Sequence, residues 1–190
     1  KQYEEAGADF TTAIEKGHNL GWSFKQRARS WADRRLLQKA LADLDAAIAA
    51  VPAKKAEYLV SRAGMLERFG QIDEARTSLD AALALEPDNA IVHNQIAWLT
   101  ATSPWPAFRN GSLAIQHATK ACEMTNWREA GYIDTLAAAH AEAGEFDKAV
   151  EIQTRAIDAA SADEKADFTT RLDLYRSGKP YRREAETALD

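Results

Sequence analysis

Residues 130–163 read AGYIDTLAAAHAEAGEFDKAVEIQTRAIDAASAD. Ile133, Leu136, Ala137 and His140 recur at helical spacing and share one face. Beyond Gly144, a second set does the same: Phe146, Ala149, Val150, Gln153, Ala156 and Ile157. A glycine between two such stretches punctuates them, so the segment predicts two amphipathic helices joined by a tight turn.

The pattern repeats upstream. Residues 21–54 carry Phe24, Arg27, Ala28 and Trp31 in a first helix, Ala40, Leu44 and Ala47 in a second, and Pro52 as a stop. Residues 56–89 carry Leu59, Arg62, Ala63 and Leu66, then Gly70, Ala75, Leu79, Ala82 and Pro87. Residues 90–128 carry His93, Ile96, Ala97 and Thr100, then Ala114, Ala118 and Ala121, separated by SPWPAFRNG at 103–111. Two prolines and a glycine exclude regular helix there, and a protruding loop is expected. Residues 1–20 read as the second half of such a unit, with Tyr3, Ala6, Phe10, Ala13 and Ile14 on one face. One alanine recurs as Ala6, Ala40, Ala75, Ala114 and Ala149, at spacings of 34, 35, 39 and 35. A second follows seven residues later each time, as Ala13, Ala47, Ala82, Ala121 and Ala156. Small side chains in that register let neighbouring helices approach closely, which makes the repeat structural rather than accidental.

This pattern resembles the tetratricopeptide repeat (TPR), W-x2-L-G-x2-Y followed by A-x3-F and a closing Pro. Leu136-Ala137 stands for the Leu-Gly pair, His140 for the Tyr, Ala149 for the helix-B alanine and Gln153 for the Phe. The last two repeats also resemble the terminal repeats of bacterial multidomain TPR proteins, where the array is joined to other domains. The resemblance implies an all-α fold, a right-handed α-solenoid of helix-turn-helix repeats over residues 1–178. Residues 164–178 would be its capping helix, with Phe168, Leu172 and Tyr175 inward, and 179–190 a tail or one further helical turn. Ten helices and no strand are expected. The half repeat at the start would leave an apolar stripe uncovered, so we expect chain upstream of Lys1 or self-association through that face.

Composition narrows the function. The chain has 190 residues, 46% hydrophobic and 28% charged, with a net charge of −5, which argues against a general nucleic-acid binder. No apolar run reaches the roughly 18–20 residues that span a bilayer. Cys122 is the only cysteine, so neither an internal disulfide nor a cysteine-based zinc site is possible. A reducing compartment such as the cytoplasm fits one thiol, though an oxidising one fits too. His18, His93, His117 and His140 are scattered without ligand spacing, and His93 and His140 occupy packing slots. With no phosphate loop and no nucleophile motif, no catalytic site, metal or cofactor is expected.

In TPR proteins the first helices line a concave groove. The resemblance therefore implies partner binding by Lys25 and Arg29, Ser61, Asn94, Gln95 and Trp98, and Asp134, flanked by Gln26, Val60, Gly64, Thr135 and Ala138. The alternative for each is a solvated or core position. Lys25, Arg27, Arg29, Arg34 and Arg35 face one acid, Asp33, in their helix, which suits a carboxylate-bearing partner. Arg27 and Arg62 would repel each other unless Glu57, Glu67 or Asp33 intervenes. A chaperone-tail clamp is broken, because Ser61 replaces its Asn, and Ile91 and Gln95 its basic pair. Trp105 and Phe108 either project from the loop or fold back over the repeat. The leading expectation is a non-enzymatic protein–protein interaction scaffold excised from a larger protein. The alternatives are a regulatory domain of an enzyme whose catalytic part lies elsewhere, and a helical-repeat RNA binder.

Overall fold

A computed structural model describes the backbone of residues 2–186 and 189, and the side chains of residues 7–186 and 189. The Tyr3 and Ala6 side chains fall outside the described residues. Ten α-helices and no strand occur among the described residues. Packing divides the chain into two compact units, Lys1–Pro87 with Ala185–Asp190, and Asp88–Glu184.

The first unit holds α1 (Gln2–Glu15), α2 (Leu20–Asp33), α3 (Leu37–Ala50), α4 (Lys55–Arg68) and α5 (Ile72–Leu85). The second holds α6 (Ala90–Thr102), α7 (Gly111–Met124), α8 (Ala130–Glu142), α9 (Phe146–Ala159) and α10 (Lys165–Arg176). Consecutive helices pack as pairs, α2 with α3, α4 with α5, α6 with α7 and α8 with α9. Within the second unit the first helices of the two pairs, α6 and α8, also touch.

The alanine register explains the pairing. Ala40, Ala75, Ala114 and Ala149 are fully buried, as are Ala47, Ala82, Ala121 and Ala156. Facing them on the first helices, Ala28, Ala63, Ala97 and Ala137 are equally buried. A methyl group at the seam permits interaxial distances at the short end of the ~8–10 Å range for packed helices. Larger neighbours close the core around it. In the first unit, Ala28, Ala32, Ala40 and Leu44 pack with Trp31, Met65 and Phe69. In the second, Ile133, Leu136 and Phe168 meet Ala97, Ala118 and Cys122.

Three of the turns inside pairs share one geometry. Leu36 N–H donates to Trp31 O, Gln71 N–H to Leu66 O and Glu145 N–H to His140 O, each at 2.9 Å. The preceding residue takes positive φ in every case: 63° at Arg35, 78° at Gly70 and 81° at Gly144. This Schellman-type closure satisfies helix carbonyls that have no partner inside the helix.

The connection from α6 to α7 departs from it. Residues 103–110 are not a protruding loop. Phe108 is 1% exposed and Ser103 fully buried, and a 3-10 turn at Pro106–Phe108 folds the segment back. Asn110 N–H donates to Thr100 O, and the Arg109 guanidinium to the Ser103 and Pro104 carbonyls. Burying Phe108 while pairing these backbone groups outweighs solvating the segment. Trp105 is half-buried.

Other expectations are corrected as well. Residues 179–186 are a tail without helix or strand, so the alternative of one further helical turn does not hold for them. The acids that neutralise Arg27 and Arg62 come from α3. Arg27 grips Asp43 with two hydrogen bonds of 2.8 and 2.7 Å, and Asp43 also accepts from Trp31 Nε1. Arg62 lies 3.8 Å from Asp45. On α1, Phe10 is half-buried and meets Trp22 edge-on, ring centroids 5.5 Å apart.

Candidate binding face

The residues named from sequence as groove-lining separate into two sets. In the first unit, Lys25 on α2 donates to Glu57 Oε1 of α4 at 2.7 Å. Arg29 is exposed. Ser61 is half-buried and its hydroxyl returns to the Glu57 carbonyl one turn back. Gln26 and Gly64 are half-buried, whereas Val60 is buried. At the end of α4, Arg68 sits between two carboxylates, Asp33 at 2.9 Å and Glu186 at 2.7 Å. Glu186 N–H also donates to Arg68 O, and Leu189 N–H to Arg35 O.

In the second unit, Asn94, Gln95 and Trp98 of α6 are half-buried. Asp134, Thr135 and Ala138 of α8 are buried at 2–3% exposure, so none of the three is available to a partner. Asp134 is occupied instead. Its Oδ1 accepts from Arg171 Nε at 2.8 Å and from Gln153 Nε2 at 2.7 Å, and Gln153 donates further to Phe168 O at 3.0 Å. Burial raises the Asp134 carboxyl above its ordinary value, partly offset by Arg171 and Gln153. The Gln in the slot where the pattern has Phe is thereby explained, since it satisfies an acid carried by the facing helix.

Arg171 organises the aromatic part of the face. Its guanidinium lies 5.6 Å from the Trp98 ring centroid, 5.1 Å from Phe168 and 5.4 Å from Tyr181. Tyr181 itself stacks at a tilt on Trp98, centroids 5.8 Å apart. Nearby, Glu142 at the end of α8 receives two guanidiniums, Arg109 at 3.3 Å and Arg182. Residues 181–183 thus lie on α6 and α8, with Arg183 Nε donating to Thr102 Oγ1 at 3.0 Å.

A scan of the chain against protein-family models found no match, and neither did a search of curated proteins.

Reactive groups lie elsewhere and are subdued. Cys122 is fully buried, and burial pushes its thiol up to about 12, so it carries no thiolate at neutral pH. His93 and His117, read as unrelated in sequence, meet across α6 and α7 with their Nδ1 atoms 2.7 Å apart. Burial, then His93 and Lys120, lower His117 to about 4. Among the described residues no group of three or more His, Cys, Asp or Glu could hold a metal ion, and no helix is long and apolar enough to cross a membrane.

Sequence reading missed Gln153 and Arg171 as partners of Asp134, because the contact joins three helices 19 and 37 residues apart. Tyr181, Arg182 and Arg183 were passed over as tail. An aromatic residue beside two arginines in an acidic chain was the available signal.

Proposed function

We propose that the chain is a TPR-type α-solenoid acting as a non-enzymatic protein–protein interaction scaffold, with first helices receiving an extended segment of a partner. One observation carries this reading: residues 181–183, a segment outside any helix, are already seated on α6 and α8 by stacking, ion pairing and a backbone hydrogen bond. A helix face that holds one such segment has the shape and polar groups to hold another. The fully buried alanine register and the recurrent turns support the repeat assignment. In the first unit Lys25 and Arg29 offer basic groups, and in the second Trp98 with Asn94 and Gln95 offers an aromatic and amide surface. Exposed ion pairs contribute only ~0–1 kcal/mol each, so burial against Trp98 supplies most of the affinity.

The test is affinity capture from a cell extract, comparing wild type with Trp98→Ala and with Lys25→Glu/Arg29→Glu. Both variants are expected to lose partners that wild type retains. If both keep every partner while Trp105→Ala loses them, the folded-back segment at 103–110 is the binding site and the first-helix reading is wrong.

A further inference from the structure

The last turn of α6 is finished differently from those of α2, α4 and α8. A helix leaves its last four carbonyls without internal partners; in α4 and α8 the following turn closes three of them locally, and the fourth of α4, Arg68 O, accepts from Glu186 N–H. At α6 the inserted residues 103–110 close only two of the four: Leu99 O accepts from Ser103 N–H, and Thr100 O from Asn110 N–H. The remaining two are taken by residues far along the chain. Ala101 O accepts from the Arg182 guanidinium at 3.4 Å, and Thr102 O from Arg183 N–H at 2.9 Å. The insertion therefore leaves a two-carbonyl acceptor site at a helix C-terminus, the end that favours cations.

Two side chains complete the site. Glu142, its side chain 13% exposed, is held by Arg109 and faces Arg182. Trp98 lies one turn before Thr102 and receives Tyr181. The spacing matches an extended ligand. Four helical residues rise about 6 Å, and two residues of extended chain advance about 6.6 Å. An aromatic side chain over Trp98 thus places the backbone N–H two residues later against Thr102 O. The residue between them is directed to the acidic group.

We propose, on the basis of the scaffold reading above, that this end of α6 is a receptor for an extended aromatic–Arg–Arg segment. Residues 181–183 are its resident occupant, and a partner carrying such a segment binds by displacing them. The chain thus regulates its own site by competition. A tethered segment presents itself at an effective concentration on the order of 1 mM. With an intrinsic Kd of about 0.1 mM, it suppresses binding of a free competitor roughly tenfold.

The probe is a fluorescently labelled, end-capped peptide of sequence GKPYRREA, titrated against the full chain by anisotropy. Expected is a Kd about tenfold lower for Tyr181→Ala/Arg182→Ala/Arg183→Ala than for wild type, with the gain removed by adding Glu142→Gln. A scrambled peptide should not discriminate. Equal affinity for wild type and the triple variant, or equal binding of the scrambled peptide, overturns the proposal. Should the triple variant fail to fold, hydrogen exchange on the wild-type chain decides. Excess GKPYRREA must accelerate exchange of the Arg183 amide, and an unchanged rate refutes displacement. If the peptide fails both tests while Trp98→Ala still abolishes partner capture, the aromatic–Arg–Arg chemistry is wrong and the scaffold reading stands.

Discussion

Replacing Asp134 by alanine removes the only described hydrogen-bond partner of Arg171 Nε and one of the two acceptors of Gln153 Nε2. The Arg171 and Asp134 side chains are 11% and 4% exposed, so the guanidinium left behind cannot be rehydrated freely. Breaking one side of a buried pair costs about 3–5 kcal/mol. At the ~2–4 °C per kcal/mol typical of chains this size, Tm falls by about 6–20 °C. The pair as a whole is worth far less, because the raised Asp134 carboxyl means that desolvation outweighs the attraction of Arg171. Asp134→Leu/Arg171→Met should accordingly lie within about 1 kcal/mol of wild type, or above it. The raised value also fixes a pH dependence. The folded state binds the Asp134 proton more readily than the unfolded chain, so this contribution is full below the ordinary carboxylate value of 3.8 and is lost as pH rises through the raised one. Asp134→Asn removes that decline. Urea unfolding of the single and double variants, followed by far-ultraviolet circular dichroism, measures all three. A single variant within about 1 kcal/mol of wild type, or a double variant as unstable as the single, would refute the reasoning.

Ala149→Leu should destabilise the second unit by about 1–3 kcal/mol, because extra methylenes at a fully buried seam force the helices apart; a thermal melt indistinguishable from wild type would show that the seam has slack. His117 has the opposite sign to Asp134. It is protonated in the unfolded chain below its ordinary 6.5 but only below about 4 in the fold, so stability present above pH 6.5 is lost as pH falls toward about 4. In His117→Gln that loss is smaller, and the titration of the His117 ring signals by NMR locates the folded value; a midpoint near 6.5 would rule the argument out.

Helix content and repeat register were readable because alanine spacing and helical periodicity are local properties of the chain. Ala40, Ala75, Ala114 and Ala149 sit in equivalent buried positions for the reason their spacing suggested. The polar contacts were not readable in the same way. Asp134 looked like an exposed groove residue because its position on the first helix was right, and only the approach of Gln153 and Arg171 from other helices buries it. Arg27 was paired with the wrong acids, since Asp43 reaches it across the α2–α3 seam. Phe108 was visible as an apolar residue two positions after Pro106. The direction in which that segment folds depends on which carbonyls of α6 are left open, and no sequence pattern encodes this.

The turns closing α2, α4 and α8 form an internal comparison, three copies of one geometry with different residues at the critical place. Gly70 and Gly144 adopt positive φ without a Cβ in the way, while Arg35 holds φ 63° with one. Left-handed backbone costs a non-glycine residue about 1–2 kcal/mol. Glycine gives back about 0.5–1 kcal/mol of that through its freer unfolded chain. Arg35→Gly is thus a change that drift could fix with a gain of order 0.5–1 kcal/mol, and it keeps the carbonyl that accepts from Leu189 N–H. Until then this turn carries backbone strain that the turns at Gly70 and Gly144 avoid. Reversible fraying, proteolytic nicking and the tolerance of inserted sequence should all be greater between Asp33 and Leu37 than at the Gly70 and Gly144 turns.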